Sequence, residues 1–245
     1  MGASVSVGGD GGGGIPWAKV VSVPDRYTQC GATLESTHLR AISIQQLEEL
    51  GELIDDVLSS SGAEYTDSSF TKLPVTRDNI NMYHITEFFV KPLTAEAQCS
   101  FVELIASDKQ TPKWFVSHWW GTSYFDTIRM LKLHAKQRGV SEEDEYYWIC
   151  VFANNQHKLD IAQPTLLQTP FGKAIMLDEC QGTVSLLNEA KATPFTRIWC
   201  IFENFVTLTE AKTKKEKEHF FDFATIIPKD ECEMPGHIWN NRCAG

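Results

Sequence analysis

Apolar residues recur along the chain with two periods, and the change from one to the other organises the sequence. Ser43, with Gln46 three residues on, has the form of a capping box, and Leu47, Leu50, Ile54, Val57 and Leu58 then recur at helical spacing. These positions predict an amphipathic helix over 44–58. The stretch SSSGAEYTDSSFTKLP reads as a Ser-rich loop, NMYHITEFFV (81–90) as a strand, and a helix is expected near 95–106. From about residue 111 the pattern shortens. KWFVSH (113–118) is an apolar run with aromatic and β-branched residues, as a buried strand requires. Residues 122–138 place Tyr124, Phe125, Ile128, Leu131 and Ala135 on one helical face and stop at Gly139. EYYWICVFA (145–153), GTVSLLN (182–188) and FFDFATIIP (220–228) are three further strand candidates. A polar loop through Pro164 and Pro170 and a short helix near 171–180 separate the first two of these.

Strands alternating with helices predict an α/β fold, a parallel sheet with crossover helices over 111–228. A smaller, mostly helical region over 15–110 precedes it. Residues 1–14 form a Gly-rich tail, and 229–245 a C-terminal tail unless the chain is a fragment of a longer product. Parallel sheets bind ligands beyond the carboxyl ends of their strands. That rule selects Ser117 and His118, running into Trp119 and Trp120; Asn154, Asn155 and Gln156; and Asn188 and Glu189.

Composition narrows the function classes. With 22 Lys plus Arg against 32 Asp plus Glu, a net charge of -10 excludes nucleic acid as a partner. The basic run KTKKEKEH (212–219) reads as the solvated end of a helix. Seven widely spaced cysteines without a C-x-x-C pair point to reduced thiols and a cytoplasmic protein. Cys232, His237 and Cys243 match no common zinc spacing, so no metal is expected. No run of 18 apolar residues is long enough to span a membrane. The start, MGASVS, fits the pattern for myristoylation of Gly2, with Ser6 in the required place; the alternative is a disordered tail that meets a short pattern by chance. One acyl chain would give weak, reversible, peripheral membrane contact.

The most informative stretch is RIWCIFENF (197–205). Thr193 and Pro194 form a helix start, after which Phe195, Ile198, Trp199, Phe202, Phe205 and Val206 fall on one stripe roughly 120° wide. Glu203 lies at its edge, about 40° from Trp199. Periodicity alone reads Glu203 as a boundary residue reaching water. Desolvation beside the indole would instead raise its pKa, as in carboxyls that do acid/base or charge-stabilising work. Other reactive pairings are weaker. Ser117 and His118 are adjacent on a strand, so their side chains are expected on opposite faces. His134 and His157 have no evident partner, Asp178 and Glu179 read as surface charges, and no Gly-rich phosphate loop follows a strand.

In this order and at these separations, WFVSHWWG, TVSLLNEAKATPFTRIWCIFENF and the strand between them resemble a Toll/interleukin-receptor (TIR) domain over about 111–228. Phe115, Val116 and Ser117 match that family's opening F-x-S strand, and Trp199, Cys200 and Glu203 match its W-C-x-x-E motif. SHWWG stands where the family more often has an arginine- or aspartate-containing loop. The resemblance implies a flavodoxin-like parallel sheet. In some members it also implies NAD hydrolysis at the bond between ribose and nicotinamide, with the motif glutamate essential. On that reading NAD or a related nucleotide is the substrate rather than a cofactor, and Glu203 is the catalytic carboxylate. Ser117, His118, Trp119, Trp120, Asn154 and Trp199 would then contact the substrate. The alternative is a non-catalytic signalling module that assembles with itself or a partner, using the helix at 44–58 as a docking face. A third reading is a membrane-tethered sensor that binds a nucleotide without cleaving it.

Overall fold

The computed structural model describes residues 23–28, 31–34, 36–66, 71–159, 163, 165–187, 193–214, 216, 218–226 and 238–240. Gly2, Cys232, His237, Cys243, Asn188 and Glu189 lie outside these residues. The fold is α/β, built on a mostly parallel sheet of six strands in the order β1-β5-β4-β6-β7-β8. Four of them, β4 (Trp114–Ser117), β5 (Tyr146–Trp148), β6 (Gly182–Leu187) and β7 (Phe220–Thr225), are parallel; β1 (Ile42–Ser43) and β8 (Ile238–Asn240) close the two edges antiparallel. A separate hairpin pairs β2 (Glu64–Thr66) with β3 (Lys72–Pro74). After β4 the chain goes to one side of it for β5 and to the other for β6, so the direction of winding switches at β4.

The period-2 alternation of β4 divides the core into two layers. Trp114 faces α5 (Tyr124–Arg138), where its ring meets His134 edge-on at 4.4 Å. Phe115 faces the opposite side, stacked on Trp148 at 5.1 Å, and Trp148 in turn meets Phe171 of α7 (Pro170–Met176). Ser117 shares the face of Phe115, the side occupied by α8 (Ile198–Val206). On the α5 face, Asp222 of β7 accepts from Arg138 Nε at 2.7 Å and Nη2 at 2.6 Å, and lies 3.1 Å from His134 Nε2. These contacts tie the helix across the sheet.

Helix α1 (Ile44–Ser61) starts at the expected capping box, with reciprocal Ser43 and Gln46 bonds at 3.1 Å, and ends at Gly62 in the left-handed region (φ +59°). Its stripe of Leu47, Leu50, Ile54 and Val57 is fully buried. The expectation that this helix offers a docking face is therefore corrected: the stripe packs into the same core as Trp114, Phe115 and Leu131. The region before residue 111 also supplies β1 to the sheet.

Two strand expectations are replaced by helix. Asn81 caps the backbone N–H groups of Tyr83 and His84, opening α2 (Met82–Ile85), a five-residue π segment (Thr86–Val90) and α3 (Lys91–Thr94) in place of the strand expected over 81–90. In 145–153 the strand stops at Trp148, and Cys150–Ala153 form α6, closed by the Asn154 N–H on the Cys150 carbonyl at 3.1 Å. The run 149–153 is buried all round and carries no periodicity that separates strand from helix, whereas in 81–90 the exposed Tyr83 and Glu87 stand four residues apart, as on a helix. Near 95–106, helix forms only as α4 (Phe101–Ile105), capped by Ser100 and Glu103. The last helical turn, α9 (Lys212–Lys214), follows a second π segment, Thr207–Ala211. Among the described residues no helix is long and apolar enough to cross a membrane.

Candidate functional site

The helix carrying Glu203 is turned differently from the sequence expectation. Phe195, Ile198, Ile201, Phe205 and Leu208 are exposed, Ile198 at 80%, and Trp199 is about half exposed, while Cys200, Phe202, Glu203, Asn204, Val206 and Thr207 are buried. The apolar stripe is thus split. Phe202 and Val206 reach the core, and the face against the sheet includes polar Glu203, Asn204 and Thr207. Two polar contacts fix this rotation: Thr207 Oγ1 meets Thr183 Oγ1 of β6 at 2.8 Å, and Ser117 Oγ donates to Glu203 Oε2 at 2.5 Å. Glu203 is 5% exposed, so the boundary residue reaching water is ruled out. Burial pushes its pKa up to about 8, with the Ser117 hydroxyl pulling the other way.

Glu203 lies in the wall of a cavity of about 270 Å³. It opens beyond the carboxyl end of β4, between the loops after β4 and β5 and the helix after β6. His118, Trp119, Trp120, Asn154 and Trp199 line it. The structure thereby brings together six of the seven residues that the resemblance places at the substrate, and Gln156 and Cys200 join them in the wall, while Asn155 does not. Ser117 stands apart from the walls; it is fully buried and reaches the site through its side-chain contacts with Glu203 and Cys200. His118 comes after the end of β4, which frees its ring from strict strand alternation and lets it enter the cavity beside Glu203. Asn154 ends α6 rather than a strand, with its side-chain N–H on the Cys150 carbonyl at 2.8 Å.

Several wall residues escaped sequence reasoning. Tyr83 arrives from the N-terminal region because the Met82 N–H donates to the Trp120 carbonyl at 2.9 Å and Asn81 bridges to Ser123. Phe171 stacks on Trp199 at 5.8 Å. Arg197, just before α8, is the only lysine or arginine among the described lining residues; its place in RIWCIFENF was the one available signal. The two lining thiols are inert. Burial pushes Cys150 and Cys200 up to about 12, Cys150 receives the Trp120 indole N–H at 3.1 Å, and Cys200 donates to the His118 carbonyl at 3.5 Å. Trp119 folds back over Gly121, where a Cβ would sit 2.3 Å from the indole. Among the described residues no cluster of His, Cys, Asp or Glu could hold a metal ion.

A neutral, desolvated carboxyl among aromatic rings, with a guanidinium in the same wall, suits a flat cationic ring joined to an anionic tail. Aromatic faces attract cations, and a cation beside Glu203 would draw its proton off. The volume lies at the lower end for small-molecule sites, which run from roughly 300 to 1,000 Å³. It would take a heteroaromatic ring and a ribose more readily than a whole dinucleotide. Comparison of the chain with protein-family models, curated proteins and solved structures finds no match.

Proposed function

We propose that residues 111–228 form a TIR-like domain that cleaves NAD between ribose and nicotinamide, with Glu203 as the working carboxylate. One observation carries this reading: a buried carboxyl without a cationic partner among the described residues faces an aromatic cavity at the carboxyl end of a parallel sheet. The relative order of the parallel strands, second-first-third-fourth, is that of a flavodoxin-like sheet and supports the same reading. The cationic nicotinamide ring sits among Trp119, Trp120 and Trp199, and Arg197 faces the pyrophosphate. Binding of the cation lowers the pKa of Glu203 and ionises it. As the C1′–N bond breaks, its electron pair neutralises the pyridinium, and the Glu203 carboxylate stabilises the positive charge developing on the ribosyl centre. Water then bonds to C1′ and gives its proton to Glu203. The test is nicotinamide release by the full chain, with Glu203→Gln expected to be slower by about 10²-fold or more. Release unchanged in the variant would end the assignment.

A second reading, an assembly module in the same fold, is favoured by one feature: the exposed row of Ile198, Ile201, Phe205 and Leu208 on α8. Undetectable release together with concentration-dependent association abolished by Phe205→Asp would favour it.

A further inference from the structure

His118 is 5% exposed and shares the cavity wall with Glu203. One of its ring nitrogens bonds to the Val116 backbone. That bond draws the pKa upward, so it is a ring N–H donating to the Val116 carbonyl. The nitrogen so engaged is Nδ1, because Nε2 is buried with no partner among the described residues. Burial outweighs the bond and holds the ring neutral, its pKa pushed down to about 4. Nε2 therefore presents a bare lone pair, a buried acceptor waiting for a donor. Neither nearby thiol supplies one: Cys200 donates to the His118 carbonyl, and Cys150, whose sulfur accepts from Trp120, makes no bond to Nε2.

We propose that His118 is a specificity-determining residue whose Nε2 accepts a hydrogen bond from the carboxamide N–H of the nicotinamide ring, so that the site takes the amide and rejects the corresponding carboxylic acid. This rests on the nicotinamide reading of the cavity. The nicotinamide-ribose half of such a substrate offers two kinds of donor, the ribose hydroxyls and the carboxamide. The hydroxyls belong with Glu203, which leaves the carboxamide for His118. A carboxylate in its place sets oxygen lone pairs against the Nε2 lone pair. It binds only when a proton is brought to one of them, against the burial that keeps the ring neutral.

The discrimination is therefore pH-dependent. Relative to the amide, affinity for the acid rises as pH falls from 7 toward 5, by up to about tenfold per unit. The titratable and charged side chains sharing the cavity are Tyr83, Cys150, Arg197, Cys200 and Glu203. In that window the two thiols, pushed up to about 12, stay protonated, and the ionisation of Glu203 on binding of a pyridinium acts on both probes alike and cancels in their ratio.

The experiment is direct binding to the full native chain of two N-methylated pyridinium probes, one bearing the carboxamide and the other the carboxylate. Neither has a glycosidic bond to cleave nor a ring nitrogen to titrate. We expect the amide to bind about tenfold or more tighter at pH 7, the gap to narrow toward pH 5, and His118→Phe to bring the ratio near one by weakening the amide. Equal binding of both probes across the range, or a ratio unchanged in His118→Phe, overturns the inference and leaves the nicotinamide reading standing. Binding of neither probe overturns both. Should His118→Phe fail to fold, the pH series on the native chain decides alone.

Discussion

Carboxylates are buried in this molecule in two ways, and the difference separates scaffold from site. On the α5 face of the sheet, Asp222 is held by both Arg138 nitrogens and by His134. At the start of α4, Glu103 accepts from Ser100 at 2.9 Å and pairs with Arg40 at 3.0 Å. Glu203 is as deeply buried but has only the Ser117 hydroxyl, and no cation of the described residues is paired with it. Carboxylates that hold elements together are thus charge-neutralised in place. The one in the cavity is not, and on the proposed reading it is left for the substrate to neutralise, at a cost in stability that functional sites commonly carry.

The comparison can be broken most severely at its scaffold end. Asp222→Ala leaves Arg138 and His134 facing a cavity without their anion, and a loss of about 3–5 kcal/mol is expected as a lowered denaturant midpoint. At the site end the sign reverses. The folded-state pKa of Glu203 is raised to about 8, above the ordinary carboxyl value, so its neutral burial costs nothing below about pH 4.5 and progressively more as pH rises toward 8. Glu203→Gln is therefore expected to stabilise by roughly 1–3 kcal/mol at pH 8 and by nothing near pH 4.5, in melting curves at the two pH values.

Ser117→Ala sharpens the same contrast. Removing the one hydrogen bond that favours the ionised form should move the rising limb of kcat/KM, near pH 8 in the native protein, to higher pH; a limb that stays in place would detach Glu203 from the profile. The smallest effect is expected on the outer face of α8. Phe205→Ser, about half exposed and remote from either set of contacts, should change monomer stability by no more than about 0.5 kcal/mol.

Much of the scaffold was legible from periodicity. α1, β4, α5, β6 and β7 form where the pattern places them, because each has a capping signal, a terminal glycine or an apolar run of strand length. Residues 150–153 are buried on every side, and there Asn154 rather than pattern closes the helix, whereas 81–90 exposes Tyr83 and Glu87 at helical spacing and takes its start from the Asn81 cap. For α8, amphipathicity pointed to the wrong inner face. The rotation is set by Thr207 on Thr183 and Glu203 on Ser117, contacts between residues distant in sequence, and apolar Ile201 and Phe205 are left outside. Strand-end logic and the W-C-x-x-E motif together found most of the described cavity wall. It could not find Tyr83, which is brought in by the backbone tie between Met82 and Trp120.

Gly121 makes the mouth of the cavity adjustable from outside its walls. Trp119 occupies the space that any side chain at 121 would need. Even a methyl group there must swing the indole aside, changing the clearance offered to an incoming ring while Glu203, His118 and Asn154 keep their places. The size limit on the ligand is thus written into an absent atom, and a graded series from alanine upward at this one position would tune it like the stop on a sliding gauge.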